Sequence, residues 1–518
     1  MQIRHFFTSG LCINSYLVFD EETRQGVAID PTRQVKMYLA RAKQEGIKIT
    51  DIVETHVHAD FVSGAPELKA ALGGKAVIHC SGLGGREWVP SYADHVVKDR
   101  DAFRLGAVRL EAWHTPGHTP EHLIWVVYDE RRSASVPEIA FTGDLLFVGS
   151  VGRPDLLGAK AKDTLVMQLY HSLFVVLNAL PDFVEVYPAH GAGSLCGKAI
   201  GARLSSTVGY EKISNPWLVP QEYQQWLESL QIGSLPIPGY FSHMKGVNVK
   251  GPNTSKSGEM PPFLTAEQVK KRSNSTVVVD LRRPDDFAAG NISGSINLPL
   301  TPSFPLWAGL VLPVNKELLL VVDRPEIFPI VQSLNLETAV EDNELRQSFE
   351  SESLLMGADH SKKLKAAPIE SDYGSKDCLN SLSSTAVSRL SLVGFDNILG
   401  VVDVNAISFV EKKELFQPSP QISVETLHAE KNDFYLLDVR NDQEWNTGHI
   451  EGAHLMELAR AAQHLEDIPA DKPVAVICHS GNRASIIASL LKKERGITTF
   501  NVKGGMQAWI QAKLPLIK

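Results

Sequence analysis

Cysteine is scarce in this chain, five residues in 518, odd in number and widely scattered. That excludes a disulfide framework and fits a reducing cytoplasm. No run of about 18 uninterrupted apolar residues occurs, so no membrane-spanning helix is expected. The opening Met1 to Phe7 shows no basic region, apolar stretch or small-residue cleavage site, so no secretory leader is expected. A basic excess is also missing: 51 Lys and Arg stand against 60 Asp and Glu, a net charge of -9. Nothing there offers an electrostatic footprint for nucleic acid, and the acidity serves solubility. With 43% hydrophobic and 21% charged residues, the chain has the composition of an ordinary globular protein. At roughly 150 residues per domain it should hold about three.

The most informative absence is a single imidazole. Thr55-His56-Val57-His58-Ala59-Asp60-Phe61 nearly spells a two-metal loop, then places a phenyl ring where a third histidine would stand. Phenylalanine has no lone pair to give, so a second ion loses a ligand while one ion can remain. Three further loops after apolar strands could complete the site: His118 in Thr-Pro-Gly-His-Thr, Asp144 in Phe-Thr-Gly-Asp, and His190 in Tyr-Pro-Ala-His-Gly. Any one alone is more often a packed or surface residue than a ligand. Four such loops in order are hard to obtain by chance.

On these loops the first 200 or so residues resemble the metallo-β-lactamase superfamily, with its H-x-H-x-D-H run followed by a lone His, an Asp and a last His. The resemblance implies an αββα sandwich over residues 1–245. Asp30, ending the apolar run Val27-Ala28-Ile29, fits the strand ending near the metal in that family, and a structural role is expected for it. A Gly-, Ser- and Lys-rich stretch follows, and residues 246–262 read as a linker.

Beyond it the chain repeats itself. Val277 to Leu300 and Tyr435 to Leu458 align without a gap, matching Asp280 with Asp438, Arg282 with Arg440, and Gly290, Ile292 and Gly294 with Gly448, Ile450 and Gly452. Each copy runs from a buried-strand pattern through a polar turn to a second apolar run, which predicts two related α/β domains, residues 263–404 and 420–518. In the second, the strand Val474-Ala475-Val476-Ile477 delivers Cys478 into His479-Ser480-Gly481-Asn482-Arg483, a tight loop opening a helix. Inward N–H groups, the helix dipole and the Arg483 cation would stabilise a thiolate, making Cys478 a nucleophile or sulfur carrier. The plainer reading is an inert cysteine ending a core strand. Gly481 and Arg483 favour the reactive one.

Together with Asp438-Val439-Arg440, Gly448 to Ala453 and Gly504 to Trp509, this loop resembles the rhodanese family. The resemblance implies a persulfide on Cys478, cradled by residues 479–482 and Arg483. The first copy has Asp323 at the cysteine position, followed by Arg324-Pro325, and is expected to be an inactive rhodanese. It also carries a polar insert, about residues 337–384, expected to be disordered or functional, with Cys378 incidental inside it. Cys12 and Cys80 are expected to pack.

The whole chain therefore is similar to fusions of a persulfide dioxygenase with rhodanese, an α/β multidomain architecture of one metallo-β-lactamase sandwich and two rhodanese-like domains. That family implies ferrous iron, one per chain, on His56, His118 and Asp144, with positions left open for substrate and dioxygen. His58, Asp60 and His190 would then orient ligands or water, although spacing alone would also accept His58 as a ligand. The implied partners are a small-molecule persulfide, O2, and sulfite or thiosulfate, in a homo-oligomer. Arg153 would grip a substrate carboxylate or persulfide anion, or else form a salt bridge. Cys196 either faces the metal pocket or is a small buried residue at a helix start. Two other readings stay open: a zinc-dependent, glyoxalase II-like thioester hydrolase, and a sulfur carrier whose metal domain is a scaffold.

Overall fold

The segment Ile13–Phe19 is a strand buried at every position, so both of its faces must be covered. Its residues divide by parity. Tyr16 and Val18 enter a core with Trp125, Val127 and Phe141, while Leu17 and Phe19 pack the other way on Met37, Tyr38 and Leu68, as side-chain alternation along a strand requires. Leu123–Asp129 is likewise buried throughout and repeats the division. Trp125 and Val127 face the first core, and Ile124, Val126 and Tyr128 face Val166, Leu169 and Trp226. Two sheets back to back, each with helices outside, are the only layering these alternations permit. Each fully buried large apolar side chain contributes about 1.5–3 kcal/mol to that packing.

The computed structural model describes residues 1–230, 237–254, 260–273, 275–323 and 376–518. The chain divides into two compact units, Met1–Ser257 with Ser388–Asp396, and Gly258–Val387 with Asn397–Lys518. In the first unit, one sheet runs in order β1 (Gln2–Thr8), β2 (Ile13–Phe19), β3 (Gln25–Ile29), β4 (Lys48–Val53), β5 (Val77–Ser81) and β6 (His95–Val97). The other contains β7 (Ala102–Leu105), β8 (Val108–His114), β9 (Leu123–Asp129), β10 (Ile139–Gly143), β13 (Glu185–Pro188) and β14 (Ser206–Thr207), in the order β14-β13-β10-β9-β8-β7. A small hairpin pairs β11 (Leu146–Phe147) with β12 (Ser150–Val151). Helices α1 (Val35–Glu45) and α2 (Ala65–Ala71) cover the first sheet, and α3 (Ala159–His171), α4 (Val208–Ser214) and α5 (Tyr223–Ser229) contribute to the cover of the second. The loops leaving β4, β8, β10 and β13 carry the four expected ligand positions.

Two expectations need correction. The stretch read as a linker from residue 246 begins inside a helix, α6 (Phe241–Lys250), whose Phe241, Met244 and Asn248 form one buried face. Packing of that face outweighs the poor helix preference of Gly246. The last part of the expected polar insert, from residue 376, is the helix Lys376–Leu392. The rest of the insert and the side chain of Cys378 lie outside the described residues. The metal unit also extends past the expected boundary at 245, and it takes in residues 388–396 from far along the chain.

The second unit holds two parallel sheets of matching order. β15 (Val277–Asp280) lies between β17 (Ile296–Asn297) and β18 (Leu318–Val322), with β19 (Ile398–Asp403) beside β18. In the same way β22 (Tyr435–Asp438) lies between β23 (His454–Leu455) and β24 (Val474–Ile477), with β25 (Thr499–Val502) beside β24 and β21 (Gln421–Ile422) at the edge. β16 (Asn291–Ile292) pairs with β20 (Phe416–Gln417). The two halves meet through buried hydrogen bonds: Ser485 donates to the Asn297 side-chain oxygen and the Asn297 N–H donates to Ser489. No helix among the described residues is long and apolar enough to cross a membrane.

Candidate metal centre and sulfur loop

β3 and β4 pair in parallel, so the loop after β4 starts beside Asp30 at the end of β3. Both carboxylate oxygens of Asp30 are used there, taking the Thr55 N–H at 2.7 Å and the Thr55 hydroxyl at 2.8 Å. This fixes the residue before His56. The His56 ring then lies 5.1 Å from that of His118, near perpendicular, and 5.1 Å from that of His122, stacked. Asp144 leaves β10 after Gly143, whose φ is +51°; a Cβ there would come within 2.6 Å of His122 Nε2, so only glycine lets the strand end this close.

Three atoms converge: His56 Nε2 lies 3.7 Å and His118 Nε2 3.3 Å from Asp144 Oδ2. All three residues are buried, and neither His56 Nε2 nor Asp144 Oδ2 has a hydrogen-bond partner. A buried carboxylate oxygen and imidazole nitrogen left unpaired are expensive unless something occupies the space between them. The His118 Nδ1 sits 3.1 Å from the Arg153 carbonyl; a carbonyl only accepts, so Nδ1 carries the proton and Nε2 keeps its lone pair. Burial holds His56 and His118 below the usual histidine range. Burial would raise Asp144, but the imidazoles of His190, His56 and His118 hold it well below the carboxylate range. Neutral imidazoles and an ionised carboxylate are what metal ligation requires. Together these residues form one of three groups able to hold an ion among the described residues.

His190 behaves differently. Its Nδ1 is 2.7 Å from Asp144 Oδ1 and its Nε2 is 2.8 Å from Asp60 Oδ2. Burial opposes its charge, but the two carboxylates push it well above the usual range. Asp60 and His190 gather with Cys196 in a second buried group. The Cys196 thiol is pushed up, first by burial and then by Asp60 and Asp144, so it is protonated at neutral pH. Tyr240, 3% exposed, has its hydroxyl unpartnered.

His58 joins neither group. Its Nε2 lies 3.1 Å from Asp30 and 3.5 Å from Glu54, forming a third cluster. Burial would lower His58, but Asp30 and then Glu54 raise it to about 9, while burial raises Glu54 to about 8. Phe61 is fully buried, its ring 4.3 Å from that of His58. Arg153 is buried and grips Asp155 through Nε at 3.0 Å and Nη2 at 2.9 Å. Sequence reasoning passed over His122, whose Nε2 accepts the Asp144 N–H at 2.9 Å, Glu54, and Glu121, which takes the Val57 N–H at 2.8 Å. Only the Pro120-Glu121-His122 run beside His118 marked two of them.

In the second unit β24 is buried at every position and ends at Cys478, itself 1% exposed. Gly481, at φ 98°, turns the chain into the helix Asn482–Arg495. The sulfur accepts the N–H of Gly481 at 3.1 Å and of Ala484 at 3.4 Å, so the loop amides do point at it. The carbonyls of Cys478 and His479 are tied down by the N–H groups of Met506 and Gln507. Arg483 forms a two-pronged pair with Glu444, at 2.6 and 2.7 Å. Its charge is therefore shared with a carboxylate as well as with the sulfur. The ion pairs Asp438–Arg440 and Asp280–Arg282, at 2.7 and 2.6 Å, occupy equivalent places, and each arginine also holds the carbonyl of Gly448 or Gly290. After β18 the residue following the strand is Asp323, not cysteine.

The profile of the Metallo-beta-lactamase superfamily matches residues 13–190, and that of the rhodanese-like domain matches residues 423–512. The chain is 32% identical over 238 residues to persulfide dioxygenase ETHE1, mitochondrial, of Mus musculus, covering 46% of this chain and 83% of that protein. It is 35% identical over 190 residues to the Homo sapiens protein of the same name, covering 36% of this chain and 67% of that one. A crystal structure of a metallo-beta-lactamase from Staphylococcus aureus subsp. aureus COL superposes with a TM-score of 0.60 at 29% identity, over 78% of this chain and 98% of that one.

Proposed function

Because the chain belongs to the metallo-beta-lactamase superfamily that includes the persulfide dioxygenases, and carries a rhodanese-like domain, we propose that it oxidises a low-molecular-weight persulfide with O2. The products are the thiol and sulfite, and Cys478 transfers sulfane sulfur to or from the sulfite–thiosulfate couple. The observation that carries this reading is the convergence of His56 Nε2, His118 Nε2 and Asp144 Oδ2, two of them buried without a partner. A mixed nitrogen and carboxylate donor set suits ferrous iron. When bound, iron would supply the electron chemistry that dioxygen needs. Thr55 and Arg153 orient the two imidazoles through Nδ1, and His122 holds the Asp144 backbone. His190, between Asp144 and Asp60, donates an N–H to the carboxylate on either side.

Residues 263–404 fit an inactive rhodanese: the strand order and the Asp–Arg pair are kept, but Asp323 takes the cysteine position. An aspartate cannot carry sulfane sulfur.

The group Asp60, His190 and Cys196 favours a second reading, a two-zinc thioester hydrolase. Both ring nitrogens of His190 are already engaged by carboxylates, which weighs for one ion. Metal content of protein from unsupplemented cells, with oxygen uptake on adding a persulfide, separates the two. We expect about one iron per chain and rapid uptake with sulfite or thiosulfate formed. Two zinc ions and no uptake would establish the hydrolase instead.

A further inference from the structure

The metal-bearing loop is held by a residue far from it in sequence, in the stretch that reads as a linker. Asn248, on α6 and 1% exposed, donates both hydrogens of its amide, to the carbonyls of His58 and Phe61, each at 2.8 Å. Its oxygen accepts the Ser63 N–H at 2.9 Å. One side chain thus satisfies three main-chain groups of a single turn, using both of its donors and one lone pair of its oxygen. The turn spans residues 58–63, beginning two positions after His56 and containing Asp60. Within the same turn the Val62 N–H goes to the Leu392 carbonyl at 2.7 Å. Along α6 the buried positions are Phe241, Met244 and Asn248, so an amide stands where the helix's own pattern calls for an apolar residue. Burying it there is favourable only because all three partners are met.

We propose that Asn248 is a positioning residue of the metal centre: by fixing the carbonyls of His58 and Phe61 and the N–H of Ser63, it holds the His56 to Asp60 segment in the shape that retains the ion. The inference rests on the metal reading above and deepens it. Its loss should accelerate metal release without touching any ligand, as outer groups that orient ligands typically change affinity about 10- to 100-fold.

The test uses the full chain, loaded anaerobically with ferrous iron and mixed with a chromogenic chelator. Asn248→Leu removes all three bonds at similar volume. Asn248→Asp keeps the acceptor for Ser63 but sets an anionic oxygen against two carbonyls. Asn248→Ser, keeping one hydroxyl, is the milder form should the leucine variant not fold. Met244→Ala, on the same helix face and with no hydrogen bond to the loop, is the control for simple loosening of α6. Sulfur transfer at Cys478, measured on the same samples, reports that the rest of the chain is intact. Iron release at least about tenfold faster in the Asn248 variants, with release near the parent rate in Met244→Ala at a comparable fall in Tm, supports the proposal. Release at the parent rate in the Asn248 variants, or equal acceleration by Met244→Ala, overturns it. If the parent protein takes up no iron, the metal reading itself fails and this inference fails with it.

Discussion

Glu121 shows how a single buried side chain can set a pH dependence. Its carboxyl is fully enclosed, and burial holds it up at about 7 against an ordinary 4.5. The folded protein therefore keeps a proton that the unfolded chain gives up between pH 4.5 and 7. Stability contributed at this site is present below 4.5, falls as pH rises through that window, and is level above it. The span amounts to about 3 kcal/mol at most. Glu121→Gln keeps the oxygen that accepts the Val57 N–H and removes the titration. Urea unfolding at pH 5, 6 and 7 should show a stability difference growing with pH in favour of the variant; a constant difference would mean that Glu121 does not titrate there. His118→Ala tests a different residue. It removes one of the three converging donors, and iron content and persulfide-dependent oxygen uptake should both be lost, with sulfur transfer at Cys478 retained. Full iron occupancy in that variant would disprove the ligand set. His56 stood out in the sequence through its His-x-His-x-Asp run, and His118 and Asp144 because each follows an apolar strand in a loop punctuated by glycine or proline. Asn248 did not, since its partners lie in a loop nearly 190 positions away in the chain, and nothing local marks a residue whose role is to satisfy another segment's backbone.

At the level of elements, the metal unit is closed by a piece of chain from beyond residue 387. The Arg33 guanidinium, almost wholly buried, reaches Glu67 at 2.6 Å, Asp396 at 2.7 Å and the carbonyl of Ser391 at 3.2 Å. Arg33→Met leaves Glu67 as a buried carboxylate with its cation gone. Removing one partner of a buried pair costs about 3–5 kcal/mol, so the unfolding transition of the metal unit should fall by several degrees with sulfur transfer unaffected. An unchanged transition would show that residues 388–396 are not part of that unit's stability. The sandwich was legible only through the resemblance carried by the ligand loops; β2 and β9 are buried on both faces, so their division between two cores shows in the packing and not in the sequence pattern. The helix α6 was not legible: Gly246 and the neighbouring polar residues give a weak pattern, and only burial of Phe241, Met244 and Asn248 commits it to a helix. The return of residues 388–396 depends wholly on long-range contacts, to which local periodicity is blind.

For the whole molecule, the two reactions proposed above need no shared atoms, only a shared product. Oxidation alone follows RSSH + O2 + H2O → RSH + SO3²⁻ + 2 H⁺, in which one persulfide is consumed for each dioxygen. When Cys478 also accepts sulfane sulfur from a second persulfide, that persulfide leaves as thiol, and the outer sulfur passes to sulfite as Cys–S–S⁻ + SO3²⁻ → Cys–S⁻ + S2O3²⁻. The sum consumes two persulfides for each dioxygen and releases thiosulfate. The loop amides at 3.1 and 3.4 Å from the Cys478 sulfur would stabilise the thiolate released in that transfer, and the pairing of Arg483 with Glu444 keeps a cation close without leaving it bare. Cys478→Ser should therefore change the ratio and the product together. Oxygen uptake continues, persulfide consumed per dioxygen falls from two toward one, and sulfite replaces thiosulfate. An oxygen electrode with sulfite and thiosulfate quantified in the same sample measures all three. Equal loss of oxygen uptake in the folded serine variant would mean that the metal centre does not act alone on persulfide. A ratio near one in the parent protein would mean that Cys478 works on sulfur from another source.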